Sequence, residues 1–415
     1  MLFFLFSPVY LFLNGWFIYE ACKWLTAVES FLGWDRKPTP KKIIKAVKLL
    51  FGILWGFFTV CIFIAFFLPA ESGMLRRVLK LAANYHLAVF IYMLLGLAVV
   101  LLGRLLERIY VKLRKKSLWD KTDRRFVIRR SAVGLLYILL VISVTLFGVY
   151  EAGNIKTKHY DISVDKDGGN LSELKLVLVS DLHLGYNIGC RQMEKMVEKI
   201  NAEQPDLVVI AGDIFDNEYE ALEDPDRLIE ILSSIESRYG VYAVYGNHDV
   251  DEKIIGGFTF DWKSPKESSE EMDEFVSRCG IRLLCDEYVL IDDSFYLYGR
   301  PDYERPGKNV TERKSPEELT AELDLSKPVI VIDHEPRELS ELSEAGVDLD
   351  LSGHTHDGQF FPLNLTSRYL TWENSAGLLK KGNMTSIVSS GVGLYGPNIR
   401  VGTDAEVCGI TVHFR

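Results

Sequence analysis

The chain has 415 residues, 48% of them hydrophobic, a length that allows two or three domains. Its first 150 residues carry 21 Lys and Arg against 7 Asp and Glu, whereas the remainder carries 26 against 50. This difference in charge predicts that the chain consists of two different parts, residues 1–150 and residues 151–415. The six cysteines lack a Cys-x-x-Cys spacing, which excludes a zinc–thiolate site of that kind.

Four apolar runs in the first part approach the roughly 20 residues needed to cross a bilayer. These runs are residues 2–19, 49–68, 88–102 with their flanks, and 132–150. Buried helices of a soluble protein are the alternative, but the aromatic and basic flanks favour membrane spans. An uncleaved signal is an alternative for the first run, which lacks a positively charged start and a cleavage site. We therefore expect a transmembrane region with about four membrane helices.

Basic residues are concentrated in two of the linkers between these runs. Eleven Lys and Arg lie in residues 104–130 and seven in residues 23–48, against three between the second and third runs. By the positive-inside rule the two basic linkers face the cytoplasm, so the fourth span places everything after Tyr150 on the extracytoplasmic side. The prediction is a multi-pass protein of the cell membrane. No nucleic-acid partner is expected, because membrane spans bracket both basic linkers.

Strand and helix patterns alternate after residue 151. Continuous apolar runs, typical of strands buried on both faces, lie at 175–180, 207–211, 241–245, 329–333 and 347–352. Amphipathic helix patterns lie at 192–201, 226–237, 270–278 and 337–345. Further strands are predicted at 288–291, 295–298, 386–389 and 407–414. Together these patterns predict a mixed α/β domain of sheets covered by helices.

Each of the buried strands is followed by side chains suited to metal binding. In chain order these groups are Ser180-Asp181-Leu182-His183, Gly212-Asp213-Ile214-Phe215-Asp216, Gly246-Asn247-His248-Asp249, His334 and Gly353-His354-Thr355-His356. Two histidines in one loop are by themselves usually solvated, so the inference of a metal site rests on all five groups together. In an open α/β sheet the carboxyl ends of adjacent strands form one crevice, and we expect the groups to converge there.

The types of side chain in these groups indicate the chemistry. Imidazoles with carboxylates, an amide oxygen and no thiolate select a first-row divalent ion: Mn, Fe or Zn. There are too many ligands for one ion and about enough for two. Two such ions lower the pKa of a bridging water and bind the attacking and leaving oxygens of a displacement at phosphorus. Hydrolysis of a phosphoester is the expected reaction.

The five groups resemble the motifs of the calcineurin-like metallophosphoesterase family: Asp-x-His, Gly-Asp-x-x-Asp, Gly-Asn-His-Asp/Glu, a lone His, and Gly-His-x-His. The opening Ser-Asp-Leu-His-Leu-Gly and the ending Gly-His-Thr-His-x-Gly-Gln are similar to its bacterial membrane-associated, YkuE-like branch. The resemblance covers residues 155–415. It implies an α/β fold, the αββα sandwich of mixed sheets, here preceded by an α-helical transmembrane region.

The resemblance also implies a role for each motif residue. One metal ion would be bound by Asp181, His183 and His356, the other by Asn247, His334 and His354, and Asp213 would bridge the two. His248 would be catalytic, reaching the phosphate or the leaving oxygen, with Asp216 orienting its ring. A helix N-cap is the alternative role for Asp216. Asp249 is either a support of the site or a turn residue.

Three further features lie near the last motif. Asp357 stands where the branch commonly has a second glycine. A solvated loop residue with a left-handed backbone is expected there, and contact with a metal-held water, tuning of a ligand and rejection of anionic groups are alternatives. The irregular, aromatic segments 256–268 and 360–383 either border the site or pack on the domain. Arg368 and Arg400 are candidates for a second phosphate or headgroup contact.

The predicted function is a membrane-anchored phosphoesterase with two divalent metal ions. Its substrate is a phosphodiester or phosphomonoester, with a lipid or lipid-linked head group among the candidates. The alternative is a metal-binding membrane sensor or scaffold with vestigial hydrolysis, and the complete ligand set disfavours it. A transporter would need ionisable groups inside the spans, where Asn14 is the most polar residue of the first.

Overall fold

The computed structural model describes residues 2–69, 72–114, 124–252, 254–255, 258–259, 267–308, 310 and 312–415. These residues form two compact units, Met1–Phe147 and Gly148–Arg415. Most of the predicted aromatic segment 256–268, including Phe260 and Trp262, lies outside the described residues.

Long helices make up the described part of the first unit. They are α1 (Leu2–Phe31), α2 (Pro38–Phe67), α3 (Gly73–Leu113) and α4 (Arg124–Ala152), the last of which continues into the second unit. Among the described residues, three helical segments are long and apolar enough to cross a membrane, Pro38–Phe67, Gly73–Leu113 and Arg125–Ala152. The span predicted at residues 2–19 lies in α1, and the side chains at its start fall outside the description.

A buried polar cluster joins α1, α2 and α3. Asn14 Oδ1 accepts hydrogen bonds from Trp55 Nε1 at 2.9 Å and from Thr59 Oγ1 at 3.2 Å, and it lies 3.2 Å from His86 Nε2. Hydrogen bonds between apolar helices fix their register, because an unpaired polar group has no water to bind. Two of these polar residues stand out differently in the sequence: Asn14 interrupts the first apolar run, whereas His86 lies just before the run at residues 88–102.

The second unit is built on two six-stranded sheets. Its strands are β1 (Ile155–Val164), β2 (Glu173–Val179), β3 (Leu207–Ala211), β4 (Val241–Val244), β5 (Ile254–Ile255), β6 (Phe258–Thr259), β7 (Ile281–Leu283), β8 (Glu287–Ile291), β9 (Phe295–Gly299), β10 (Val329–Ile332), β11 (Leu349–Ser352), β12 (Gly377–Lys381), β13 (Met384–Val388) and β14 (Ala405–Phe414). One sheet has the order β1-β14-β2-β3-β4-β7 and the other the order β12-β13-β11-β10-β9-β8, while β5 and β6 pair separately.

The sheets pack face to face, and helices cover their outer faces. Leu178 and Val209 of the first sheet share one buried core with Leu297 and Ile330 of the second. The covering helices are α5 (Cys190–Ala202), α6 (Pro225–Ser233) and α7 (Glu270–Arg278) on the first sheet, and α8 (Pro316–Thr320) and α9 (Leu339–Glu344) on the second. The helix α10 (Leu363–Thr366) follows the last motif. The predicted αββα sandwich of mixed sheets is confirmed.

Strand direction explains why the motifs meet. The adjacent strands β2, β3 and β4 run parallel, and so do β10 and β11 in the other sheet. Each motif follows the carboxyl end of one of these strands, so the five loops converge at one end of the sandwich. Three of these loops come from the first sheet and two from the second.

Candidate metal centre

The loops after β2 and β11 bring Asp181, His183 and His356 together. His183 Nε2 and His356 Nε2 are 3.0 Å apart, and His356 Nε2 is 3.4 Å from Asp181 Oδ1. All three side chains are buried. Two imidazole nitrogens and a carboxylate oxygen therefore point toward one small volume, as the ligands of one metal ion would.

A second group forms from the loops after β4, β10 and β11. His354 Nδ1 lies 2.9 Å from Asn247 Oδ1 and 3.2 Å from His334 Nε2. His334 Nε2 is 3.1 Å from the same Asn247 oxygen. The three residues expected to bind the second ion thus face one another within hydrogen-bonding distance.

Asp213 lies between the two groups. Its Oδ2 is 3.6 Å from His183 Nε2 and 3.2 Å from His334 Nε2. Its Oδ1 accepts a hydrogen bond from the backbone N–H of His248 at 2.7 Å. One carboxylate oxygen of Asp213 therefore faces both groups, and the other is held by the backbone.

The hydrogen bonds of His334 test whether a cation fits here. His334 Nδ1 lies 2.8 Å from the carbonyl oxygen of Ala211, which can only accept, so Nδ1 carries the proton. In the neutral ring the lone pair of Nε2 then faces Asn247 Oδ1 and Asp213 Oδ2, which also accept. Although burial opposes it, the charge of Asp213 raises the pKa of His334 well above its ordinary value, so without a metal ion a proton on Nε2 would be shared with these oxygens. A cation can replace that proton, because an imidazole nitrogen, an amide oxygen and a carboxylate oxygen are a donor set that suits a first-row divalent ion.

Burial favours the uncharged form of two of the imidazoles, His354 and His356. It lowers the pKa of His354 to about 3 and holds the pKa of His356 well below its ordinary value. A neighbouring imidazole, His334 for His354 and His183 for His356, acts in the same direction. Both rings are therefore neutral near pH 7, which is the form that binds metal.

Several predicted ligands have a backbone conformation that residues other than glycine seldom adopt. The φ angles are 52° at Asp181, 47° at His183, 51° at Asp213, 68° at His354 and 47° at His356. Each left-handed residue costs roughly 1–2 kcal/mol. Close contacts hold the loops in place: a Cβ on Gly353 would lie 2.5 Å from the Ser180 side chain, so only glycine fits between the first and last motifs.

His248 lies beside the two groups, and its ring is held by a residue that the sequence analysis missed. His248 Nδ1 is 2.5 Å from Asn217 Oδ1, whereas Asp216 Oδ1 is 3.8 Å away. Asn217 Nδ2 donates to the carbonyl of Val250, so its oxygen faces His248 and His248 Nδ1 donates. Burial lowers the pKa of His248 to about 4, so the neutral ring keeps its lone pair on Nε2.

Asp216 lies near two imidazoles, those of His183 and His248. Its Oδ1 is 3.7 Å from His183 Nδ1, and neither atom has a hydrogen-bond partner among the described residues. A carboxylate at the second nitrogen of a metal-binding imidazole fixes the orientation of the ring. The alternative N-cap role is wrong, because the described residues after Asp216 form a 3-10 turn at Tyr219–Ala221, and α6 is capped by Asp224.

Asp249 supports the site. Its Oδ1 accepts a hydrogen bond from the backbone N–H of Phe215 at 2.8 Å, and its Oδ2 accepts one from Gly246 at 2.7 Å. The side chain is buried. Asp249 therefore connects the loop that carries Asp213 to the loop that carries Asn247. Of the two roles considered for it, these contacts favour support of the site over a simple turn residue.

The expectation of a solvated Asp357 is wrong. Its backbone is left-handed, with φ 50°, but its side chain is only 3% exposed. Arg368 Nε donates to both carboxylate oxygens, at 2.8 and 3.1 Å, and Ser375 Oγ donates to Oδ1 at 3.1 Å. Asp357 thus links the last motif to the segment that follows it. The guanidinium of Arg368, a candidate for a phosphate or headgroup contact, is bound to this carboxylate.

Arg400 is also not a headgroup contact, because it is completely buried. Its Nη2 donates to the carbonyls of Ser390, Gly391 and Gly393 at 2.7, 3.0 and 2.8 Å. The same loop bonds to the first motif, where the N–H of Gly393 donates to the carbonyl of Asp181 at 2.8 Å. The sequence analysis missed this loop, although its run Gly391-Val-Gly-Leu-Tyr-Gly396 signals close backbone packing.

A cavity of about 310 Å³ opens beside the two groups. One side is lined by the motif residues, including His183, Asp213 and His354, and another by residues of the segment 363–372. Tyr395 also lines it, with its ring 5.2 Å from that of His356 and 6.4 Å from that of His248. The cavity therefore gives a small ligand access to the candidate metal ligands and to His248.

The residues that form this geometry lie in a part of the chain that is similar to known proteins. The profile of the calcineurin-like phosphoesterase family matches residues 174–358. An uncharacterized metallophosphoesterase of Aquifex aeolicus is 31% identical over 274 residues, which cover 64% of this chain and 96% of the relative. The uncharacterized metallophosphoesterase YkuE of Bacillus subtilis is 26% identical over 257 residues, 59% of this chain and 80% of YkuE.

A longer match reaches into the first unit. A transmembrane protein with metallophosphoesterase domain from Danio rerio is 25% identical over 405 residues, which cover 94% of this chain and 85% of that protein. The likeness thus includes the part of the chain that holds the long apolar helices.

Proposed function

The chain belongs to the calcineurin-like metallophosphoesterase family, and from this premise we propose that it is a membrane-anchored hydrolase of a phosphodiester or phosphomonoester. The predicted resemblance, including that to YkuE, is confirmed, and membership makes the chain a metal-dependent phosphoester hydrolase. The proposal adds the residues, the location and the kind of substrate.

In this proposal two divalent ions, Mn, Fe or Zn, would be bound by the two groups of side chains, with Asp213 shared between them. One is held by Asp181, His183 and His356, the other by Asn247, His334 and His354. The observation that supports it is the convergence of both groups on one oxygen, Asp213 Oδ2, at 3.2 Å from one and 3.6 Å from the other. When bound, the two ions would supply an activated water and neutralise the charge on the phosphoester oxygens.

His248 is proposed to act on the bound ester. Its Nδ1–H is fixed by Asn217, so its Nε2 is the nitrogen available to the substrate. The neutral ring takes up a proton from solvent more readily once a negatively charged phosphoester lies beside it, because the negative charge favours the imidazolium. The imidazolium then donates a hydrogen bond or a proton to the leaving oxygen. Asp213, which already bonds the backbone of His248, holds it at the site.

The membrane location is proposed on two grounds. Three described helices are long and apolar enough to cross a bilayer, and the match to the Danio rerio transmembrane protein covers 94% of the chain. The distribution of Lys and Arg supports a multi-pass arrangement in which the second unit is extracytoplasmic.

Hydrolysis by the purified full-length chain tests the proposal. The metal-free protein in detergent, resupplied with Mn²⁺, should cleave bis(p-nitrophenyl) phosphate. Asp213→Ala should lower kcat/KM by more than about 100-fold, because removing even an outer partner of a metal ligand costs 10–100-fold. Metal analysis should find two ions per wild-type chain and fewer in this variant.

Asp161→Ala is the matched control, because this carboxylate on β1 has a side chain that is 80% exposed. It should behave as wild type. Equal rates for Asp213→Ala and wild type would contradict the proposed site. Two bound ions without turnover of monoesters, diesters or lipid-linked esters would favour the alternative, a membrane sensor or scaffold.

A further inference from the structure

One wall of the cavity is formed by the segment of residues 360–372, which we call the lip. It contains α10 and the single π-helical turn Ser367–Thr371. Its side chains that line the cavity are Leu363, Thr366, Ser367, Thr371 and Trp372. The Trp372 ring lies 5.2 Å from that of His354. The lip therefore borders the path by which a ligand reaches the candidate metal ligands.

The lip also exposes large apolar side chains to solvent. The exposed fractions are 47% at Phe361, 41% at Leu363, 44% at Leu365, 77% at Tyr369 and 82% at Leu370. A single exposed leucine is ordinary, but five such residues within ten positions form a patch. Patches of this kind on soluble surfaces mark sites of contact with a partner or a membrane.

This exposure is a property of an ordered segment. Arg368 is bound to the buried Asp357, and the N–H of Phe361 donates to the carbonyl of Val401 at 2.8 Å. Thr403 Oγ1 donates to the carbonyl of Gln359 at 2.7 Å, just before the lip begins. The start and the middle of the lip are thus fixed to the domain, while its apolar side chains remain exposed.

The charge of the lip indicates which of these, a protein partner or a membrane, the patch contacts. None of its 13 residues is Asp or Glu, and Arg368 is its one charged residue, whereas residues 151–415 contain 50 carboxylates. A lipid surface repels carboxylates, because it carries phosphate groups and often a net negative charge. Leucine inserts into such a surface, and Tyr and Trp are enriched at the level of its head groups. The composition of the lip complements a lipid surface.

We propose that the outer face of the lip inserts into a lipid surface, and that the cavity takes the phosphoester head group of an amphiphile whose apolar part remains in that surface. The inference rests on the proposed phosphoesterase function. It assigns a substrate class, lipid phosphoesters, to the same site. The apolar helices of the chain would keep the enzyme in a membrane, where such substrates are found.

Two esters with the same scissile bond test this assignment. One is a dioleoylglycerol p-nitrophenyl phosphodiester in nanodiscs with the full-length chain, and the other is its water-soluble glycerol analogue. The triple variant Leu365→Ser, Tyr369→Ser, Leu370→Ser should lower the rate on the embedded ester by about tenfold or more, since each apolar side chain loses its burial in lipid. Its rate on the soluble ester should stay within about twofold of wild type.

Leu325→Ser is the matched control, because Leu325 is 41% exposed and lies outside the lip. It should leave both rates unchanged. Equal losses on both esters in the triple variant, or no loss on either, would overturn the role of the lip. If the wild type cleaved neither the embedded ester nor the soluble ester, the proposed function itself would be contradicted.

A readout without turnover tests the lip alone. A nitroxide at position 370 of the full-length chain in nanodiscs, with the exposed Cys285 replaced by Ser, should be relaxed by oxygen and shielded from a water-soluble nickel chelate. A nitroxide at position 325 should show the opposite. Equal exposure of both positions to the chelate would overturn the proposal, as would shielding of position 370 from both reagents, which indicates a protein partner.

Discussion

Asp350, on β11, is a buried carboxylate, and no described residue places a cationic group in hydrogen-bonding contact with its oxygens. Its Oδ2 accepts hydrogen bonds from Ser352 Oγ at 3.0 Å and Ser386 Oγ at 2.8 Å. Burial, with the nearby charge of Asp333, raises its pKa to about 7. In the unfolded chain the value is near 3.9, so the folded state binds more protons between about pH 4 and pH 7. The contribution of Asp350 to stability therefore falls as the pH rises through this range.

Asp350→Asn removes this dependence, because the amide keeps a similar shape without a charge. The variant should gain stability relative to wild type as the pH rises from about 4 to 7, by up to about 1.4 kcal/mol per pH unit. Thermal unfolding of both proteins in detergent at several pH values measures the difference. Asp293→Asn, whose side chain is 86% exposed, is the control and should show a flat difference. If the stability difference between Asp350→Asn and wild type also stayed constant with pH, the pKa of Asp350 would be near its ordinary value.

Motif spacing was informative at the residue scale because each motif directly follows a strand. The structure brings together all the residues named as metal ligands, including His354 and His356, which approach different groups. Supporting residues were harder to assign. Asn217 and Arg400 act through contacts with residues distant in sequence, and a lone Asn or Arg carries no local signal of its partner. Asp357 was misjudged for the same reason, since its burial depends on Arg368.

At the scale of elements, the ion pair of Asp357 with Arg368 joins the lip to the metal-binding loop. Arg368→Ala would leave Asp357 buried with fewer partners. Stability should fall by about 1–3 kcal/mol, less than for a fully buried pair, because the Arg368 side chain is 43% exposed. KM for a phosphoester should rise more than kcat falls, because the cavity wall shifts while the metal ligands stay in place.

Thermal unfolding, steady-state kinetics and metal analysis together check this expectation. Arg227→Ala is the control, since Arg227 is 51% exposed and pairs with Glu194 and Glu230 on the surface. It should cost at most about 1 kcal/mol and leave KM unchanged. Loss of bound metal in Arg368→Ala would show that the ion pair supports the ligands rather than the wall.

Elements with a uniform pattern were predicted well. The strand Leu207–Ala211 and the helix Glu270–Arg278 have the predicted bounds, because one is apolar throughout and the other is amphipathic with Ser269 as its N-cap. The strands β1, β7 and β12 were missed, as were the two-residue strands β5 and β6. The sequence of β1, Ile-Lys-Thr-Lys-His-Tyr-Asp-Ile-Ser-Val, is largely polar because it is an edge strand, and only its pairing with β14 makes it a strand.

At the scale of the whole molecule, the arrangement of basic residues predicts where the second unit lies. A reporter fused after Arg415 should report an extracytoplasmic position: alkaline phosphatase should be active there and a cytoplasm-dependent reporter should not. Replacing the Lys and Arg of residues 104–130 by Gln should weaken this preference, because that linker holds eleven of the basic residues. Activity of only the cytoplasmic reporter in the wild type would reverse the topology.

The position of β14 has a consequence for how the protein is made. This strand, residues 405–414, inserts between β1 and β2, which are more than 200 residues earlier in the chain. The loop that bonds to Ser180 and Asp181 comes just before it. A nascent chain that ends before residue 405 thus lacks the strand that joins β1 to its sheet. In the proposed function, the site of Asp181, His183 and His356 would therefore be completed only after β14 is synthesised, and its ion would be acquired in the compartment where the finished domain folds.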